Sequence, residues 1–275
     1  MNRHLLFLLF FTFNFTFSQN SKGKLFIIGG GSRPDFLVDR MIKEAGLKPG
    51  EFVAIFPHAS EEQDSSFYYA KQQFEKRNLK ALDCAFKKDG KLSPSKLDSL
   101  KNAKLIYIGG GDQVRFMEII NSNSEVKNLL KSAYLKGNMI AGTSAGAAVM
   151  SEVMLTGNQL KYKNYENTFD NIETQNVEIS KGLGFITTAV IDQHFVVRSR
   201  YNRLLSLIIE NPKLKGIGID EGTAILVKNN IAEVVGRAQV IVFKNPKNSK
   251  HLFKDKLGAK SIILDIYLNG EKFQF

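Results

Sequence analysis

The chain has 275 residues, 43% hydrophobic and 24% charged, with a formal net charge of +11; this balance specifies a folded globular protein with a sizeable core and excludes a fibrous or disordered chain. Cys84 is the single cysteine, so neither an internal disulfide nor a cysteine-built metal site is expected. The basic field could draw in acidic polymers, but the lysines are scattered and no basic run carries interleaved aromatics, so nucleic acid is not expected as a partner.

Taken in order, Met1-Asn2-Arg3-His4 is a short cationic start, Leu5 to Phe17 is an apolar run, and Ser18-Gln19-Asn20-Ser21 is small and polar. That is the pattern of a secretory signal peptide. The run is too short to anchor comfortably in a bilayer and no cysteine follows it. A signal over residues 1–18, a single domain over 19–275, and a secreted or periplasmic location with no stable membrane anchor are expected.

From Lys24 short apolar runs alternate with amphipathic ones. Leu25 to Ile28 leads into Gly29-Gly30-Gly31, and a helix over 36–45 follows. Phe52 to Phe56 ends at Pro57-His58, before a helix over about 61–76; Leu79 to Cys84 and Leu105 to Ile108 are the next strands, the latter running into Gly109-Gly110-Gly111-Asp112-Gln113. Continuous apolar runs separated by helices are strands buried on both faces, which gives a parallel, doubly wound α/β sheet. In such sheets ligands bind where the strands end.

Asn138 to Met150 carries the sharpest signal: an apolar run delivers Gly142-Thr143-Ser144-Ala145-Gly146 and continues into small helix formers. This is the context of a nucleophile elbow, although the same pattern occurs wherever a strand packs closely on a helix. The N–H of Ala145 and one from Gly110 or Gly111 would form the oxyanion hole. Residues 157–181, polar and without a period, read as a loop or lid. Thr187 to Ile191 ends at Asp192-Gln193-His194, a helix opened by Arg198, Arg200 and Arg203 runs to about residue 210, and Gly216 to Ile219 ends at Asp220-Glu221. From Ala224 onward, short strands with tight turns at Asn229-Asn230 and Asn269-Gly270 predict an antiparallel edge. A serine nucleophile needs a base and an orienting acid. His58 and His194 both follow strands, and the polar pair before His194 favours it; spacing alone leaves Asp192, Asp220 and Glu221 open as the acid.

Four segments, G-G-G-D-Q at 109–113, G-T-S-A-G-A at 142–147, D-Q-H-F-x-x-R-x-R-x-x-R-L at 192–204 and G-I-G-I-D-E-G-T-A at 216–224, resemble the motifs of the cyanophycinases and the related aspartyl dipeptidases, with cyanophycinase the nearer. The match follows the order of that family over nearly the whole chain after the signal. The resemblance implies a flavodoxin-like three-layer α/β/α sandwich akin to class I glutamine amidotransferases, with a mostly parallel sheet. It implies a serine peptidase with Ser144 as nucleophile, His194 as base and Glu221 as orienting acid, and Gln113, Asp192, Gln193, Arg198, Arg200 and Arg203 shaping the substrate pocket. Asp192 would meet a substrate guanidinium while the arginines pair with carboxylates. No cofactor or metal is expected, and a homodimer is left open. The substrate expected is cyanophycin, cut to β-Asp-Arg, with Asp-X dipeptides as the alternative. The competing class is a non-catalytic exported protein that captures acidic peptides through its basic surface.

Overall fold

The computed structural model describes residues 23–163 and 169–275; the expected signal peptide lies outside them. β1 (Lys24–Ile28), α1 (Asp35–Ala45), β2 (Phe52–Phe56), α2 (Gln63–Glu75), β3 (Lys80–Asp83), α3 (Pro94–Lys101), β4 (Leu105–Ile108), α4 (Gln113–Asn121), α5 (Ser124–Leu135) and β5 (Met139–Thr143) follow the alternation read from the sequence. The five strands pair in parallel in the order β1-β5-β4-β2-β3. Leu25 and Ile27 enter the core on one face of the sheet and Phe26 and Ile28 on the other, which is why these runs show no polar alternation. Leu37 and Met41 of α1 and Phe74 of α2 cover one face; Phe116 and Ile120 of α4 and Leu130 of α5 cover the other. The result is the mostly parallel α/β/α sandwich of the flavodoxin-like kind.

The second half continues as α6 (Ala145–Ala148), β6 (Val153–Gln159), β7 (Val177–Lys181), β8 (Ala189–Gln193), α7 (Tyr201–Glu210), β9 (Lys215–Ile219), β10 (Thr223–Lys228), β11 (Ile231–Gly236), β12 (Val240–Lys244), β13 (His251–Phe253), β14 (Lys256–Gly258), β15 (Ile263–Tyr267) and β16 (Lys272–Gln274). Strands β10, β11 and β16 extend the central sheet antiparallel beyond β1. The turn between β10 and β11 places Asn229 and Asn230 at φ of 50° and 61°, the left-handed pair that a two-residue hairpin needs and that asparagine tolerates.

Strands β8 and β9 lie outside the central sheet: β1 already pairs with β5 on one side and β10 on the other, and β8 and β9 build a second sheet in the order β15-β12-β9-β8. Ile191, Ile217, Val240 and Val242 of that sheet share a core with Val227, Ala232 and Val234 of the first, and α7 packs Leu204, Leu207 and Ile208 on its outer face. Residues 157–181 are not wholly a loop, because β6 and β7 form an antiparallel hairpin. A register shift between Leu155 and Gln159, around Gly157 at φ 101°, hides the period of β6. Finally, Arg198 and Arg200 precede α7, and only Arg203 lies inside it.

Candidate active site

In the order β1-β5-β4, the strand ending at Ser144 lies between those ending at Gly29 to Gly31 and at Gly109 to Gly111. Ser144 has φ 53° and ψ −113°, a conformation costly for a residue with a side chain and one that persists only where the surroundings impose it. The surroundings do so through close backbone packing. A Cβ on Gly142 would lie 2.2 Å from the carbonyl oxygen of Gly146, and one on Gly146 would lie 2.3 Å from that of Ile108. The N–H of Ser144 donates to the carbonyl of Ile28 at 3.0 Å, which locks the elbow to β1.

His194 and Glu221 arrive from the second sheet. Strands β8 and β9 run parallel with Gln193 opposite Ile219, so the residues just past their ends emerge side by side. The N–H of His194 donates to the carbonyl of Gly29 at 2.7 Å, and that of Gly222 to Gly30 at 3.0 Å. These bonds stitch the second sheet to the glycine turn after β1. The approach requires glycine there: a Cβ on Gly30, at φ 106°, would lie 2.4 Å from the His194 ring, and one on Gly31 would lie 2.6 Å from Glu221 Oε2. Asp220 Oδ1 accepts the N–H groups of Val196 and Val197, each at 3.1 Å, which fixes the turn after His194, where the histidine itself has φ 48°.

A hydrogen-bonded chain follows. Ser144 Oγ lies 2.9 Å from His194 Nε2, and His194 Nδ1 lies 2.5 Å from Glu221 Oε1. Burial holds the His194 pKa below its ordinary 6.5; the Glu221 hydrogen bond opposes this, and Arg198 and Arg200 reinforce it. The imidazole is therefore neutral near pH 7. With Glu221 accepting from Nδ1–H, Nε2 is left as an acceptor for the Ser144 proton. Among the described residues, no hydrogen bond within the protein occupies the N–H of Gly110, Gly111 or Ala145, and a Cβ on Gly110 would touch Ser144 Cβ at 3.4 Å. His58 is elsewhere: it is fully buried among Phe56, Phe86 and Phe116, accepts the N–H of Phe86 at Nε2, and is pushed down to about 4 by burial.

Ser144 opens into a cleft of about 290 Å³ whose wall includes Gly111, Gln113, Asn158, Gln193, Arg198 and Arg200. The expected pocket residues divide in their roles. Arg198 is exposed and forms no hydrogen bond or ion pair among the described residues. Arg200 donates to both the carbonyl and the side-chain oxygen of Gln193, at 2.7 and 2.5 Å. Arg203, also on the cleft wall, forks onto Asp192, with Nε 2.7 Å from Oδ2 and the second nitrogen on Oδ1. Asp192 is 1% exposed and does not line the cleft. The expectation that it meets a substrate guanidinium is corrected, because both its oxygens are held by Arg203 and one also takes the N–H of Gln193 at 2.8 Å. The Gln113 amide nitrogen donates to the carbonyls of Leu155 and Thr156 at 2.9 and 2.6 Å, bracing β6 against α4. Thr156 and Asn158 of that strand complete the wall; sequence reading missed them because the shifted register concealed the hairpin. Another depression of about 180 Å³, at the opposite end of β1, is lined by Leu25, Tyr134, Phe185 and Phe275 among others and has no Asp, Glu, Lys, Arg or His side chain in its lining.

Among the described residues, no group of three or more His, Cys, Asp or Glu side chains is placed to hold a metal ion, and no helix is long and apolar enough to cross a membrane. The model of peptidase family S51 matches residues 25–235. A cyanophycinase from Geminocystis herdmanii is 28% identical over 230 residues, 80% of this chain and 81% of that protein. One from Trichormus variabilis is 32% identical over 186 residues, 64% of this chain; the chain spans 58% of that relative's length. The crystal structure of a peptidase from an acI-B1 Actinobacterium superposes with a TM-score of 0.68 at 22% identity, covering 94% of this chain and 99% of that one, a likeness of fold. Since the family match runs from β1 to β11 and takes in the Ser144 elbow and both strands that carry His194 and Glu221, the chain belongs to peptidase family S51 and is a serine-type peptidase.

Proposed function

We propose that this peptidase is exported and cyanophycinase-like, hydrolysing peptide bonds in an aspartate-rich substrate through an acyl-enzyme on Ser144. The observation that carries the reading is the Ser144–His194–Glu221 hydrogen-bonded chain at the floor of a cleft whose mouth holds the unpaired cation Arg198. Likeness to the cyanophycinases supports the substrate class, and the cationic and apolar start of the chain supports export.

In this mechanism His194 Nε2 takes the proton of Ser144 as Oγ attacks the carbonyl carbon, and Glu221 stabilises the imidazolium that forms. The oxyanion is received by the N–H of Ala145 and that of Gly110 or Gly111. Collapse breaks the C–N bond, with His194 giving its proton to the leaving amine. Water, deprotonated by the same imidazole, then cleaves the ester and restores Ser144. Arg198 pairs with a substrate carboxylate, and Arg200, anchored on Gln193, adds positive potential beside it.

The test is to incubate the protein with insoluble cyanophycin and with α-linked Asp-X dipeptides, and to identify products by mass. Release of β-Asp-Arg is the expected result; cleavage of Asp-X dipeptides alone would move the assignment to an aspartyl dipeptidase. Ser144→Ala and His194→Ala should each lower kcat/KM by on the order of ten-thousand-fold, and the double variant little further, because the two act as a unit. Full activity in Ser144→Ala would end the reading.

A further inference from the structure

Directly beside the Ser144 cleft lies a further depression of about 390 Å³, lined by Val114, Glu178 and Ile179 together with Asp112, Thr156 and Asn158. The last three also line the Ser144 cleft, so the two spaces adjoin across the tip of α4 and strand β6. Glu178 stands on β7, in the hairpin that bounds both. Its Oε2 accepts from Thr156 Oγ1 at 2.6 Å and from Asn158 Nδ2 at 2.9 Å. Those bonds keep the carboxyl ionised, below the ordinary carboxylate range.

In a chain with a net charge of +11, carboxylates out of full solvent contact readily find cations: half-buried Glu44 meets Lys24, half-buried Glu233 meets Arg40 and buried Glu173 meets Lys256. Glu178 meets none among the described residues, and its surroundings supply only neutral donors to one of its two oxygens. Asp112, the other acid in the lining, is committed to capping α4, where Oδ1 accepts the N–H groups of Val114 and Arg115. A partly desolvated, oriented carboxylate with an open oxygen is a receptor for a cation. The charge it faces across the shared wall is of opposite sign, since Arg198 and Arg200 line the Ser144 side.

We propose that Glu178 is a specificity-determining residue of this peptidase: it receives a guanidinium or ammonium group carried by the substrate residue on the hairpin side of the cleaved bond, while Arg198 receives the substrate's carboxylate. The inference rests on the reading of the Ser144 cleft given above and fills the place that the burial of Asp192 leaves vacant. It makes the cleft selective for substrates with both signs of charge close together.

The test compares the wild type with Glu178→Gln on two matched β-aspartyl peptides, one carrying arginine and the other citrulline, its neutral isostere. Because charge-assisted hydrogen bonds are about twice as strong as neutral ones, the wild type should favour arginine by about tenfold or more in kcat/KM. In Glu178→Gln, which keeps an acceptor for Thr156, that ratio should fall to near one, chiefly through KM for the arginine peptide, and Glu178→Lys should invert it. An unchanged thermal midpoint shows that the variants are folded. Cleavage of both peptides with the ratio undiminished in Glu178→Gln overturns the assignment and leaves the catalytic reading standing. If neither peptide is cut, the aspartyl reading fails, and the cut sites in a mixed peptide digest decide: sites flanked by Lys or Arg in the wild type and lost in Glu178→Gln support Glu178. A mixture cut without regard to charge, or not at all, overturns it.

Discussion

The two walls of the cleft are held in place by different physics. The wall that carries Ser144, His194 and Glu221 is fixed by close approach to the backbone: a Cβ on Gly142 or Gly146 would meet a backbone carbonyl oxygen at 2.2 or 2.3 Å, and one on Gly30 or Gly31 would meet the His194 ring or the Glu221 carboxylate at 2.4 or 2.6 Å. The wall that carries the arginines and the β6–β7 hairpin is fixed by side chains: Arg203 on Asp192, Arg200 on Gln193, and Gln113 on the carbonyls of β6. Reacting atoms need placement to a fraction of an ångström, which rigid backbone provides. On the side-chain wall the exposed Arg198 can change charge without breaking a buried pair, so substrate preference can change there without disturbing the chemistry, whereas the buried Arg203–Asp192 pair cannot.

That contrast predicts where each kind of substitution should act. The largest effect on stability is expected on the polar wall: Asp192→Ala removes the carboxylate onto which the buried Arg203 guanidinium, 4% exposed, is forked, and should lower unfolding stability by about 3–5 kcal/mol, with Arg203→Met in the same chain recovering much of it. Denaturant midpoints measure this, and a cost below 1 kcal/mol for Asp192→Ala would show that the pair is not what holds the wall.

On the backbone wall the effect should fall on catalysis. Gly30→Ala pushes a methyl group into the His194 ring and should cost about a hundredfold in kcat/KM, since an ångström of misplacement suffices for that. Retention of full activity would mean that the glycine turn yields and the wall is softer than its contacts imply.

The smallest effect couples the two walls. Burial first, then Arg198, holds the His194 pKa below 6.5, and the base is lost as pH falls through that value, so the acid limb of kcat/KM should lie below 6.5. Arg198→Gln removes a positive charge that disfavours imidazolium, so the limb should move up by a fraction of a pH unit. A limb that stays put or moves down would show that the walls are electrostatically independent.

The parts of this protein legible in the sequence are those whose cause is local. The apolar runs from Leu25, Phe52, Leu105 and Met139 announce buried parallel strands because nothing polar can face either side of such a sheet, and G-T-S-A-G announces an elbow because few other residues fit so tight a turn. Asn229-Asn230 marks its hairpin through the left-handed φ that asparagine tolerates. The motif resemblance singled out His194 and Glu221, but their meeting is a tertiary fact, produced by the parallel pairing of β8 with β9 in a sheet that forms because β10 already occupies the free edge of β1. The split of the pocket residues is tertiary as well. Asp192 ends a strand legible in the sequence and Glu178 lies in a stretch read there as a loop; only the packed structure gives one a buried guanidinium and sets the other in the depression beside the cleft, because partners eleven residues away on a helix, or across a hairpin with a shifted register, are set by how the elements dock.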